Sequence, residues 1–244
     1  MRPTPIWLCA VRLLRLLAWL GATGRRLRRL DRVPPEQRRE VLRQMGADCL
    51  NVLNVHVRND APPAAAQGTL LVANHVSWLD IFVLVSLYPC SFIAMKELRG
   101  WPLIGRMIAN AGTVFIDRSN RKDIDPVNAA IAAALRSGGN VCFFPEARTS
   151  SGSSVLPLKA ALFESAIQAD APIQTVALRY YDGDTRTERV SFADVNFFVT
   201  LWRILRLRQI NVRTDSAAPM LPEGDRFAIK DRVQTYLEEK VSED

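Results

Sequence analysis

Residues 70–84 read LLVANHVSWLDIFVL, and the way this stretch divides decides the fold. A short apolar run enters Asn74-His75, and a second apolar segment leaves from Trp78. A short apolar run closed by a turn is the pattern of a strand buried on both faces. The segment from Ser77 to Tyr88 reads as a helix. Ser77 followed three positions later by Asp80 resembles a capping box, with Ser77 as N-cap and Asp80 at N3. On that reading Asp80 caps a helix and His75 is a loop residue. Yet N3 faces back toward the entering chain, where His75 lies. One carboxylate oxygen can hold the helix start while the other accepts the His75 Nδ1–H, which leaves Nε2 as a base. The stretch alone leaves both readings open.

Outward from it, strands and helices alternate. Strands are expected at 50–58, 69–74, 91–95, 113–118, 140–146, 172–180 and 210–214. Helices are expected from Pro35 to about Cys49, then at 77–88, 125–138, 159–170, 195–206 and 225–240, with a loop and a short helix over 96–112. This order predicts an α/β domain with a mixed, largely parallel sheet flanked by helices. Such sheets carry their sites beyond the carboxyl ends of the strands. Three strand ends deliver chemistry there: Asn74-His75, Asp117-Arg118, and Pro145-Glu146-Ala147-Arg148. If those strands are neighbours, a histidine, two arginines and a glutamate converge, and the arginines suit a phosphate. His56, the second histidine, sits in an alternating strand and reads as structural. Ser150, Ser151, Ser153 and Ser154 lack a G-x-S-x-G elbow and read as a polar loop.

Composition narrows the partners. The 244 residues carry a net charge of +7, which points to an anionic surface or substrate. Four scattered cysteines and two histidines offer no metal-ligand spacing and read as reduced, mostly buried thiols. The amino terminus, IWLCAVRLLRLLAWL at 6–20, is apolar except for Arg12 and Arg15, which point to nearly the same side. GATG is expected to break it before RRLRRLDR. Charges inside the apolar region argue against a secretory signal. An interfacial helix with arginines at the headgroups, a short or re-entrant membrane segment and a soluble packing helix are the three readings, and dense arginines beside a wide apolar face favour the first. Nucleic acid fits less well, because no aromatics interleave with the basic cluster. The chain is expected to divide into a basic amphipathic membrane-binding helical segment, 1–33, and an α/β domain, 34–244.

The motifs together carry a resemblance. Asn74-His75-Val76-Ser77-Trp78-Leu79-Asp80 resembles the NHxxxxD motif of the glycerolipid acyltransferases, the lysophosphatidic acid acyltransferase or PlsC-like family. Gly112 through Arg118 resembles that family's GxxFIDR block, and Phe144 through Ser150 its FPEGTRS block. Val176 through Tyr180 lies where a fourth, hydrophobic block belongs, and Lys96-Glu97-Leu98 through Pro102 and Gly105 is similar to the stretch between the first two. The blocks agree in order and spacing over residues 68–180.

The resemblance implies His75 as general base and Asp80 as its orienting partner. It implies a lysolipid acceptor whose phosphate is held by Arg118, Glu146, Arg148 and Thr149. The donor is acyl-CoA or acyl-carrier protein, with no metal, no other cofactor and no acyl-enzyme. The family works on the cytoplasmic side of the membrane as a peripheral or monotopic protein. One departure stands out: the family's Gly-Thr-Arg is here Ala147-Arg148-Thr149, so the arginine comes one residue early and the glycine is gone. A shift of one position on an extended segment reverses side-chain direction. Either the loop winds differently, or the acceptor differs, with lyso-ornithine lipid as the main rival.

Overall fold

A computed structural model describes residues 3–30, 33–59, 67–95, 100, 113–116 and 124–243. The elements run α1 (Ile6–Leu27), α2 (Pro35–Leu53), β1 (Val55–Asn59), β2 (Leu70–Ala73), α3 (Leu79–Leu87), β3 (Ser91–Met95), β4 (Val114–Ile116) and α4 (Ile124–Arg136). There follow β5 (Val141–Phe143), a 3₁₀ turn (Ala161–Phe163), α5 (Glu164–Ala169), β6 (Ile173–Asp182), β7 (Thr185–Arg186), α6 (Phe197–Arg206), β8 (Ile210–Ser216) and α7 (Arg226–Ser242). The strands form one sheet in the order β1-β8-β6-β2-β5-β3-β4, with β7 paired to β6. The β2, β5, β3 and β4 pairings are parallel, as is β2 with β6, whereas β8 runs antiparallel to β6. The sheet is therefore mixed and mostly parallel, with helices on both faces.

β2 lies at its centre and every residue of it is buried. Side chains alternate along a strand. Leu71 and Ala73 join a cluster with Cys9 of α1, Leu50 and Leu53 of α2, Leu84 of α3 and Ile204 of α6. Leu70 and Val72 turn to the other side, against Ile131 of α4, Ala166 of α5 and Leu237 of α7. One layer thus holds α1, α2, α3 and α6, and the opposite layer α4, α5 and α7.

Three boundaries differ from the sequence reading. α1 does not stop at GATG but continues to Leu27, with Thr23 and Gly24 buried. Each helical glycine costs about 1 kcal/mol relative to alanine, and here tertiary packing overrides that. Residues 50–53 belong to α2, which ends where Asn54 turns left-handed at φ 58°; only Val55 onward is strand. The expected helix over 159–170 is a 3₁₀ turn followed by a short α5. The loop and helix expected at 96–112 lie outside the described residues, Gly100 apart.

α2 and α3 cross closely at Gly46. A Cβ there would stand 2.5 Å from Val85 Cγ1 and 2.7 Å from the Phe82 carbonyl oxygen, whereas one at Gly21 would meet nothing within 4 Å. Gly46→Leu is expected to lower the unfolding free energy by about 3 kcal/mol through overpacking. Gly21→Ala should leave it unchanged or raise it by about 0.5–1 kcal/mol through helix propensity. Urea unfolding of the two variants checks both.

Candidate active site

The site grows from the point where β2 ends. Asn74 extends the strand's pairing with β6 by its side chain: Oδ1 accepts the Leu178 amide at 2.7 Å and Nδ2 donates to the Leu178 carbonyl at 3.0 Å. The chain then turns, and His75 Nδ1 comes within 2.8 Å of Asp80 Oδ2. The same oxygen accepts the amides of Val76 at 2.7 Å and Ser77 at 2.9 Å. Ser77 Oγ accepts the Leu79 amide at 3.4 Å. The N-cap falls one residue later than expected, at Trp78, without a side-chain cap bond; what remains of the expected capping box is the Asp80 hold on the Ser77 amide, and the same carboxylate orients the imidazole. Among the described residues Nε2 has no hydrogen-bond partner, and the His75 side chain keeps 20% of its surface exposed.

Three partners escaped the sequence reading. Tyr180, on the stretch of β6 that outruns β2, donates its hydroxyl to Asp80 Oδ1 at 2.5 Å. Burial, and then the Asp80 charge, push the Tyr180 hydroxyl well above its ordinary pKa, so it stays protonated and donating. Phe144, at the end of β5, stacks on the imidazole with centroids 3.9 Å apart and planes at 11°. Asn74 is the third. Residues this distant in sequence meet only because β5 and β6 flank β2, and a single chain read for periodicity does not reveal strand order. The available signal was positional: Phe144 opens the third motif block and Tyr180 ends the fourth.

Glu146 is buried, with both carboxylate oxygens engaged by the backbone. Its Oε1 accepts the His75 amide at 2.6 Å and its Oε2 accepts the Leu156 amide at 2.9 Å. Expected at the acceptor's phosphate, it is seen to tie the His75 turn to the loop after β5, each oxygen accepting one backbone amide. Ser150 completes the clamp, donating its amide at 2.7 Å and its hydroxyl at 3.2 Å to the His75 carbonyl. That use of its hydroxyl fits the reading of the serines as a polar loop. Ala147 holds the left-handed conformation at φ 61°. The backbone thus keeps the turn a glycine would favour, and it carries Arg148 exposed and Thr149 half-buried. Arg118 and Asp117 lie outside the described residues. His56 is exposed, 3.1 Å from Asn54 Oδ1 and remote from this cluster in the sheet order.

Fold and site define the class: an α/β enzyme domain with a histidine–aspartate pair at the carboxyl ends of parallel strands. A sequence model described as Acyltransferase matches residues 53–179. The 1-acyl-sn-glycerol-3-phosphate acyltransferase of Neisseria meningitidis serogroup B is 46% identical over 237 residues, covering 96% of this chain and 93% of that protein. The lyso-ornithine lipid O-acyltransferase of Pseudomonas aeruginosa is 35% identical over 182 residues, covering 74% and 69%. The crystal structure of the 1-acyl-sn-glycerophosphate acyltransferase PlsC from Thermotoga maritima superposes with a TM-score of 0.73 at 18% identity, over 97% of this chain and 94% of that one, and bears out the fold. The chain belongs to the acyltransferase family.

Burial pushes the Glu146 carboxyl above the ordinary glutamate value, against the pull of its two amide donors. A carboxyl whose folded-state pKa is raised favours the fold while protonated. That contribution is full below the ordinary value and is lost as pH rises through the raised one. Glu146→Gln stays neutral, so the wild-type-minus-variant difference in unfolding free energy should fall across that window and level off above it. Urea unfolding at stepped pH measures it.

Proposed function

We propose that this enzyme transfers a fatty acyl group from a thioester, acyl-CoA or acyl-carrier protein, to the free hydroxyl of 1-acyl-sn-glycerol 3-phosphate, giving phosphatidic acid. The observation that carries the chemistry is the His75 imidazole, fixed at Nδ1 by buried Asp80 and unpartnered at Nε2 among the described residues. Nε2 takes the proton of the acceptor hydroxyl as its oxygen attacks the thioester carbonyl. Asp80 balances the imidazolium that forms, and Tyr180 and two backbone amides hold Asp80 in turn. The tetrahedral intermediate collapses, the thiolate leaves, and the imidazolium returns its proton to that sulfur. The nucleophile belongs to the substrate, and the steps call on no acyl-enzyme, metal or other cofactor. The Phe144 stack and the Glu146–Ser150 clamp keep the ring aimed, which is the positioning such a reaction needs.

Acceptor identity rests on the relatives. The 46% identity over almost the whole chain favours glycerol phosphate. Exposed Arg148 is then the phosphate's partner, joined by Thr149 and, by motif position, Arg118. The lyso-ornithine reading is favoured by the P. aeruginosa relative and by the altered third block.

α1 sets the location. By length and a mean hydropathy of 1.5 it could cross a bilayer. Its first turns are instead tied to the domain: Arg12 donates to the carbonyls of Leu205, Leu207 and Arg208, and the Thr4 amide donates to that of Arg206. Arg12 therefore lies against protein and not at the headgroups, while Trp7, Leu14 and Leu17 stay exposed. We read α1 as lying in one leaflet, on the cytoplasmic face where the donors are.

A panel of lysolipids with labelled acyl-CoA and acyl-carrier protein tests the reading. His75→Ala should lower kcat by about 10³-fold or more with any acceptor. Tyr180→Phe should lower kcat by about tenfold with KM little changed, as one charge-assisted hydrogen bond is lost. Arg148→Ala should raise KM selectively for the phosphate-bearing acceptor. Equal loss on lyso-ornithine lipid would move the assignment to that substrate, and a wild type that acylates no lysolipid would overturn it.

A further inference from the structure

α6 presents two unlike faces. Thr200, Ile204 and Leu205 pack inward. Outward stand Phe198, 78% exposed, and Trp202, 50% exposed, with Phe197 and Val199 beside them. One helical turn further along the same side come Arg203 and Arg206, the latter with its guanidinium 5.9 Å from the Trp202 ring. Large aromatics followed by arginines on one outward stripe are the composition of a helix seated at a lipid–water boundary: the rings enter the acyl region and the guanidiniums meet anionic headgroups.

This face does not stand alone. Arg12, Cys9 and Thr4 of the amino-terminal segment all bond to carbonyls at the end of α6, so the two helices are fastened together. Aromatic contacts also run from Phe197 to Trp78 at 5.5 Å, from Trp78 to Phe82 at 6.0 Å, and from Phe82 to Trp19 of α1 at 5.5 Å. Trp78 is three residues from His75. The segment leading into α6 is likewise pinned to the catalytic turn, its Phe192 amide donating to the Val76 carbonyl at 2.9 Å.

We infer that α6 is a second membrane-seated element, which lowers Phe198 and Trp202 into an anionic leaflet beside α1 and so brings the bilayer surface up to the His75 turn. The inference rests on the membrane reading above and extends it to a helix about 190 residues away in sequence. The chemistry names the occupant: an arginine-rimmed aromatic stripe complements anionic lipid, whereas two copies of this face would set arginines against arginines.

All four cysteines are buried, so a cysteine introduced at the surface takes a label selectively. Phe198→Cys carrying an environment-sensitive fluorophore is mixed with phosphatidylglycerol/phosphatidylethanolamine vesicles, beside the same label at Phe227→Cys. Phe227 is also exposed, but it sits on α7 in the opposite layer. The label at 198 should shift to the blue and be quenched by brominated acyl chains, and the label at 227 should do neither. Phe198→Ser with Trp202→Ser should lower vesicle partitioning by about tenfold or more. If the wild type sediments with vesicles while the 198 label stays in water, this inference falls and membrane seating through α1 stands. A wild type that ignores vesicles overturns both. A 198 label that shifts without lipid, as the protein dimerises with concentration, assigns the face to a second copy and overturns the inference.

Discussion

One buried carboxylate organises the centre of this molecule. Asp80 has no exposed surface, and it gathers the Nδ1 of His75, the amides of Val76 and Ser77, and the hydroxyl of Tyr180. A charge taken out of water costs several kcal/mol unless partners replace its hydration. Here each donor comes from a different structural commitment. The two amides exist as donors only if the chain turns after β2 and α3 starts at Leu79. Tyr180 is in reach only if β6 lies beside β2 and outruns it. The geometry of the histidine–aspartate pair and the local fold are therefore the same set of bonds: the turn before α3 cannot open without loosening the histidine, and β6 cannot shift without depriving a buried charge of a donor.

That economy explains what the sequence revealed and what it withheld. The alternation of strand and helix was legible because a strand buried on both faces writes itself as a short apolar run closed by a turn, as in Leu70–Ala73. His75 and Asp80 were legible because a capping signal is local. Tyr180 was not, since its meeting with Asp80 across 100 residues depends on strand order. The partners of Glu146 were hidden for a related reason. A glutamate after a strand end looks like a site residue, and only the packing of two loops turns its oxygens to the amides of His75 and Leu156. α1 ran through GATG because contacts at Thr23 and Gly24 outweigh a propensity cost that is all a local reading can weigh.

The third motif block illustrates a constraint outlasting the residue that normally meets it. A left-handed backbone at a non-glycine residue costs roughly 1–2 kcal/mol, and Ala147 adopts it nonetheless. The bonds on either side account for this. Glu146 must turn inward to the His75 amide, and three residues later the Ser150 amide must reach the His75 carbonyl. Few backbone paths satisfy both ends, so the turn survives the loss of glycine. That turn carries Arg148 outward, exposed, with Thr149 half-buried behind it. The bonds that hold the His75 turn are kept alongside Ala147-Arg148-Thr149.

Arg12 carries the last step. On an apolar helix it read as a headgroup contact, yet its guanidinium closes the carboxyl end of α6, where backbone carbonyls lack helical partners and the dipole is negative. A helix meant to leave the domain and cross a bilayer would have to give up those bonds, and the carbonyls would be left without their donor. Binding Arg12 inward instead keeps the first turns of α1 along the protein surface and leaves Trp7, Leu14 and Leu17 facing out. On the proposed membrane reading, a lysolipid acceptor would meet the enzyme without its acyl chain leaving the hydrocarbon. Extracting that chain would cost about 0.8 kcal/mol per methylene, a cost that an enzyme meeting its acceptor in place avoids.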